Sequence, residues 1–266
     1  MVASPCLALC IATVGRITEL DRLLISLERQ THAGFHIYLA DQNAPGVLDS
    51  MLARHASLPL TRILLPSRGV SAARNHLLPL VSDEDILVFP DDDCWYAPDT
   101  LEQVVAAFRR HPEAGAVLGF WTPSPQAAPP SNVERQLSAA ALFSQGGTCV
   151  QFYRAQVVKG LRFDPKLGPG TGLPYGCGED TDYLLEAHKC APVWRCPSIR
   201  VFHPSPKTQI PPDAKIASYA AGRMYLLKKH AFPFWFRWAN VLFPLCMLPL
   251  DALRQGRKAA RYRWRM

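Results

Sequence analysis

An uninterrupted apolar run from Leu7 to Ala12 (Leu-Ala-Leu-Cys-Ile-Ala) sets the tightest limit on what this chain can fold into. It lacks the polar alternation of a half-exposed strand, so both of its faces must be covered, as in a parallel sheet packed between helices. The residues after it can supply one cover. Leu20, Leu23, Leu24 and Leu27 recur at i, i+3, i+4 and i+7, and Thr18 with Asp21 gives a helix-start signal. The cycle then repeats: a strand at 35–40, a helix near 47–56, a strand at 62–65, a helix at 71–78 and a strand at 86–89. Asp99, with Glu102 three residues on, predicts a capped helix bearing Leu101, Val104, Val105 and Phe108, and 116–120 is a further strand. Such alternation predicts an α/β fold with a mainly parallel sheet, and places function at the carboxyl ends of its strands.

Four prolines between Thr122 and Pro130 interrupt this pattern and predict an exposed loop. Beyond it lie a strand at 149–153, a glycine-rich turn from Gly168 to Gly178 and a helix beginning near Glu179. With 48% hydrophobic and 19% charged residues, the chain has the apolar material for a folded core and is not a disordered protein.

The formal charge of +7 is unevenly spread. Residues 1–214 carry 18 Lys and Arg against 21 Asp and Glu, whereas residues 215–266 carry 11 Lys and Arg against Asp251 alone. The two parts are therefore read separately, as an α/β domain, 1–214, and a basic, aromatic helical extension, 215–266. The 8 cysteines include no C-x-x-C pair, which argues against structural zinc or a thioredoxin-like site. The start Met1-Val2-Ala3-Ser4-Pro5 has no charged and apolar leader pattern, so the expectation is a reducing cytosol with most cysteines buried as small hydrophobes.

Three segments can carry chemistry. Ile86-Leu-Val-Phe-Pro-Asp-Asp-Asp93 is an apolar strand ending in three adjacent carboxylates. Such acids repel one another unless a cation compensates, and a hard divalent metal is the simplest one. Gly176-Cys-Gly-Glu-Asp-Thr-Asp182 places acids at a helix start, where capping alone could explain them, but the glycines also let a substrate approach the backbone. Arg68-Gly-Val-Ser-Ala-Ala-Arg-Asn75 puts two arginines around a helix start suited to anions, without the spacing of a Walker or dinucleotide loop. His203, a lone histidine after an apolar stretch, gains weight from these others.

Taken in order over Leu7 to Pro204, these pieces resemble family 2 glycosyltransferases of the GT-A fold, particularly bacterial enzymes of exopolysaccharide or lipopolysaccharide synthesis. The resemblance rests on Ile11-Ala-Thr-Val-Gly-Arg16, Ala40-Asp-Gln-Asn43, Gly69 to Asn75, the Asp-Asp-Asp cluster, Gly178-Glu-Asp180 and His203. It implies a Rossmann-like nucleotide-binding sheet flanked by helices. It also implies a donor that is a nucleoside diphosphate sugar, with UDP the expected nucleotide, and a divalent cofactor, Mn²⁺ or Mg²⁺. Thr13 and Asp41 then match contacts to the base, with Arg16 and Arg74 also on the nucleotide. Asp91 to Asp93 match the D-x-D motif, with Asp91 towards the ribose, Asp92 within the donor site and Asp93 on the metal. Asp180 matches the general base, Glu179 beside it the acceptor contact, and His203 a residue completing the metal or diphosphate site. Gln42-Asn43 departs from the commoner acidic and glycine continuation after Asp41, which bears on the identity of the base.

The implied reaction is a single displacement with inversion, the acceptor being a saccharide or lipid-linked hydroxyl. A raised carboxylate pKa at Asp180 would suit its role, and Asp182 competes for it. The tail, with Phe232-Pro-Phe-Trp-Phe-Arg-Trp238, an uncharged stretch 239–250 broken by Pro244 and Pro249, and Arg254 to Arg265, predicts an interfacial anchor on anionic lipid. The expected location is the cytoplasm, peripheral on the inner face of the membrane. Packing of this tail as a helical pair on the catalytic domain is the competing reading. A sugar nucleotidyltransferase is disfavoured because Thr13-Val-Gly-Arg16 has one glycine and no downstream Pro-Lys. A nucleic-acid binder using the basic tail would leave Asp91 to Asp93 and Glu179-Asp180 without purpose, so no nucleic-acid partner is expected.

Overall fold

The structure, a computed structural model, describes residues 5–81, 84–126, 131–143, 145, 147–204 and 213–242. Its first half is the expected βαβ succession. Strands β1 (Leu7–Thr13), β2 (Phe35–Asp41), β3 (Leu60–Leu64) and β4 (Ile86–Val88) run parallel and alternate with helices α1 (Ile17–Glu28), α2 (Asp49–Ala53) and α3 (Val70–Leu77). Then follow β5 (Trp95–Tyr96), α4 (Thr100–Arg110), β6 (Ala116–Thr122), β7 (Arg135–Gln136), α5 (Ala139–Leu142), β8 (Gln151–Arg154), α6 (Ala155–Val158), α7 (Glu179–Cys190), β9 (Val193–Phe202) and α8 (Asp213–Lys229). Residues 234–242 form a further helix.

The run Leu7 to Ala12 is covered on both faces, as its composition requires. Leu7, Leu9 and Ile11 join Leu20, Leu23, Leu24 and Leu27 in one core, while Ala8 and Cys10 join Ala73, Leu77 and Tyr183 in a second on the other side of the sheet. Each fully buried leucine of α1 contributes roughly 1.5–3 kcal/mol. The strand order is β3-β2-β1-β4-β8-β6-β9-β5, with β7 beside β9.

The sheet is mixed rather than mainly parallel. β8 runs antiparallel to both β4 and β6, and β5 and β7 run antiparallel to β9. Periodicity misses β9, as it misses the two-residue β5 and β7 beside it. Pro197, which has no N–H to donate, lies where β9 slips register between Arg195↔Leu118 and Arg200↔Phe120.

Two expected caps are absent. α1 begins at Ile17, and Thr18 lies inside it. Asp99 occupies the cap position of α4, but its side chain makes no bond to the helix backbone, and Glu102 accepts instead from the Thr31 hydroxyl at 2.7 Å. Of the described cysteines, Cys10, Cys94, Cys149 and Cys196 are buried, Cys6 and Cys177 are half-buried and Cys190 is exposed, all as free thiols.

Helix α8 packs on the sheet rather than standing apart. Its Leu226 and Leu227 enter the second core, and Lys229 and His230 both lie 2.8 Å from the buried carboxylate of Asp182. Among the described residues no helix is long and apolar enough to cross a membrane. The remainder of the predicted anchor, 243–266, and the end of the proline loop, 127–130, lie outside the described residues.

Candidate active site

Register brings the candidate residues to one edge. Thr13 pairs with Asp41 at the ends of β1 and β2, and Ala12 bridges Asp91 just beyond β4. The glycines of the predicted approach loop close the opposite side. Gly178 caps α7 at φ +98, a left-handed value open to glycine, and a Cβ there would meet Leu226 at 2.8 Å. At Gly168, with φ +97, a Cβ would sit 3.1 Å from the Glu179 carboxyl group, so the missing side chain leaves room beside that acid.

The three acids of the cluster play different parts. Asp92 is buried, with Thr13 Oγ1 donating to Oδ2 at 2.8 Å and Arg16 Nη1 to Oδ1 at 2.8 Å. Burial pushes its carboxyl up against the opposing pull of Arg16 and Thr13. Arg16 also lies 2.7 Å from Asp93 Oδ2, a cation spanning two neighbouring acids. Asp91 Oδ1 accepts from Arg74 Nη2 at 3.0 Å and from Thr148 Oγ1 at 3.1 Å.

Asp93 faces His203. Asp93 Oδ1 is buried and has no hydrogen-bond partner, yet stands 3.1 Å from His203 Nε2, an ion-pair distance without hydrogen-bond alignment. His203 Nδ1 is 2.8 Å from the Pro204 carbonyl, which accepts its proton and leaves Nε2 free as a ligand in the neutral ring. Burial alone would raise Asp93 and lower His203; their mutual attraction outweighs it, holding the acid below and the imidazole above its usual range. An orphaned carboxylate oxygen beside an imidazole nitrogen is a donor pair that fits a divalent cation of the Mn²⁺ type.

The structure closes Thr13, Asp41 and Arg74 off from direct contact. Asp41 is 0% exposed: Oδ1 accepts from the backbone and side-chain nitrogens of Asn43, and Oδ2 from Arg62 Nε and Nη2 at 2.9 and 2.6 Å. Asn43 Oδ1 in turn holds the Gly15 N–H at 2.7 Å. The unusual Asn43 is therefore built into the base of the site. Arg74, 2% exposed, lies between Asp91 and Glu179, its Nη1 3.5 Å from Glu179 Oε1 and its guanidinium 5.3 Å from the Phe163 ring centroid.

On α7, Asp180 accepts from the Gly147 and Thr181 backbone N–H groups. Glu179 is pushed up to about 7, first by burial and then by the charge of Asp180, against the pull of Arg74. Asp182 is removed as a rival base. It is 1% exposed and both its oxygens are held by Lys229 and His230.

A cavity of about 730 Å³ opens on this edge, lined by Asp91, Trp121, Gly147, Arg195, His203 and Tyr219, among others. Trp121, Arg195 and Tyr219 were not legible as site residues. Trp121 meets His203 edge-on at 5.9 Å between ring centroids.

This geometry belongs to a recognisable class. The family profile "Glycosyl transferase family 2" matches residues 8–162, more than half of the chain, and the chain belongs to that family of glycosyltransferases. No curated protein sequence matches it. Among solved structures, S. aureus TarS 1-349 is similar with a TM-score of 0.64 and 16% identity over 85% of this chain. The chain spans 65% of that structure's length. TarS 1-349 in complex with UDP-GlcNAc aligns at a TM-score of 0.64, with 15% identity over 96% of this chain and 79% of that one. The mannosyltransferase PcManGT from Pyrobaculum calidifontis, in complex with GDP-Man and Mn²⁺, aligns at 0.67, with 16% identity over 98% of this chain and 79% of that one. At these identities the likeness is one of fold: a curled mixed sheet with flanking helices, as in GT-A enzymes.

Proposed function

We propose that the chain is a metal-dependent, inverting glycosyltransferase. It moves a sugar from a nucleoside diphosphate sugar, UDP being the expected nucleotide, to a hydroxyl of a saccharide or lipid-linked acceptor in surface polysaccharide synthesis. The observation that carries this reading is the pairing of the orphaned Asp93 Oδ1 with His203 Nε2 at 3.1 Å, where His203 lines the same cavity as Gly147, whose N–H is held by Asp180.

Asp93 and His203 would hold the divalent cation, which when bound supplies charge neutralisation to the departing diphosphate. Asp92 is fixed by Thr13 and Arg16 at the floor of the donor site. Asp41 acts through Asn43 and Arg62 rather than by touching the base itself. Asp91 borders the ribose, and Arg74 sets Asp91 and Glu179 relative to each other from beneath. Asp180 takes the acceptor proton as the hydroxyl oxygen bonds to the anomeric carbon; the bond from that carbon to the diphosphate breaks, and its electron pair leaves with the nucleotide. Attack opposite the leaving group inverts the anomeric centre. Glu179 is a second reading for the base, favoured by its raised pKa.

The helix at 234–242 supports docking on an anionic membrane surface. Phe234 and Trp235 are 75% and 68% exposed, and with Trp238, Val241 and Leu242 they recur at i, i+1, i+4, i+7 and i+8, one apolar stripe facing outward. The opposite side is held by Phe232 and Phe236 against Phe143. That exposed face is apolar and aromatic, which favours lipid over nucleic acid as the partner of the basic tail, at the cytoplasmic face of the membrane.

The test is nucleotide release from a panel of UDP-, GDP- and dTDP-sugars with Mn²⁺ and with a chelator. Release from at least one donor, abolished by chelation, is expected. Metal-independent release, or none from any donor, would overturn the reading.

A further inference from the structure

Arg195 is a cation without an anion. It sits on β9 directly opposite Arg135 of β7, and residues paired directly across two antiparallel strands share a face, where like charges repel. Its Nε is buried and has no hydrogen-bond partner, and no carboxylate lies within ion-pair reach of either arginine among the described residues. Burial, with Arg135 adding to it, lowers the Arg195 guanidinium from its usual range. The cations nearest the acid cluster are neutralised by contrast: Arg16 faces Asp92 and Asp93, Arg62 faces Asp41 and Asp49, and Arg74 faces Asp91 and Glu179. Arg195 lines the same cavity as Asp91, His203, Trp121 and Tyr219.

Its position along the cavity separates it from the metal pair. Arg195 lies at the level of Leu118 on β6, and His203 at the level of Thr122, whose carbonyl accepts from the His203 N–H. Four residues of strand put these levels about 13 Å apart. A diphosphate held at Asp93 and His203 therefore occupies one end of the cavity and leaves Arg195 to whatever enters the other. A guanidinium presents a planar fork that matches carboxylate and phosphate oxygens.

We propose that the acceptor is anionic: it carries a phosphate or carboxylate group that Arg195 binds, with Arg135, paired across from it on β7, adding charge. This rests on the transferase reading and narrows its acceptor class, with Arg195 as a specificity-determining residue and Trp121, beside His203, on the wall of the same cavity.

The experiment titrates the full chain, in chelator and without nucleotide, with glucose 6-phosphate, glucuronate and methyl glucoside, following tryptophan fluorescence. At least a tenfold tighter binding of one anionic sugar over the neutral one is expected, the size of one charge-assisted hydrogen bond. Which of the two is preferred separates phosphate from carboxylate. Arg195→Gln should erase the preference, Arg195→Lys should keep part of it, and Arg135→Gln, at an exposed position, should reduce it by a smaller factor. Equal binding of neutral and anionic sugars by the wild type, or an undiminished preference in Arg195→Gln, would overturn the proposal. In steady-state assays with an active donor, a loss in Arg195→Gln that falls on the donor KM instead of the acceptor KM would overturn it too. If no nucleotide sugar is turned over, the transferase reading fails, while the titration still decides whether Arg195 binds an anion.

Discussion

Asp93 Oδ1 and His203 Nε2 face each other at 3.1 Å, joining the end of β4 to the end of β9, 110 residues apart in sequence by their numbers. Neither atom is satisfied by a well-aligned hydrogen bond from the other, and the proposed function makes the pair two ligands of one cation. Replacing His203 by Ala should raise the Mn²⁺ concentration for half-maximal nucleotide release by at least tenfold. An unchanged midpoint in a Mn²⁺ titration would remove His203 from the metal site.

Arg74 links Asp91 to Glu179 from a buried position. Arg74→Met removes the positive charge and leaves two acids facing each other across an apolar group, which should destabilise the fold by about 3 kcal/mol in urea denaturation. Arg74→Lys should recover part of this, because one ammonium cannot reproduce the fork that reaches Asp91, Thr148 and Glu179. A wild-type midpoint for Arg74→Met would contradict the link.

Glu179 makes stability fall as pH rises. Its folded pKa of about 7 lies above the ordinary 4.5, so the native state binds the extra proton. The associated stability is fully present below about 4.5 and is lost as pH rises through 7. Glu179→Gln should therefore raise Tm by a few degrees relative to wild type at pH 8, with the difference shrinking towards pH 4.5. Thermal melts across that range check it, and a difference that grows on acidification would contradict the assignment.

The stripe at 234–242 is tested by charge. Trp235→Glu with Trp238→Glu should reduce co-sedimentation with vesicles of anionic lipid by about tenfold, leaving the melting temperature near that of wild type because both side chains already face outward. Retained binding to the vesicles would move membrane contact elsewhere in the chain.

How far the sequence spoke for this molecule follows from where its signals are local. β1 and α1 were legible because Leu7 to Ala12 is apolar without a break and four leucines of α1 share one face. Asp91 to Asp93 were legible because an apolar strand ends on them. β9 was not: Arg195, Pro197, Ser198 and Arg200 break any period, and the strand exists because β6 pairs with it around a slip in register. The mixed sheet was missed for the same reason, since pairing between distant strands leaves no mark in a short window. Arg74 and Asp41 are named by their motifs, but their burial is not legible there, since it depends on Phe163, Asn43 and Arg62 arriving from elsewhere. Asp182 competes with Asp180 in the sequence, and only the end of α8 and the residue after it, Lys229 and His230, show its carboxylate to be occupied.

Asp180 carries the central claim, since the proposed displacement requires a group that accepts the acceptor's proton while the donor site stays intact. Asp180→Asn should bind the active nucleotide sugar within about threefold of wild type, measured by calorimetry with Mn²⁺, and lose at least a thousandfold in transfer, within the usual span for removing a general base. Near-normal turnover in Asp180→Asn, with the loss appearing in Glu179→Gln, would contradict the account and make Glu179 the base.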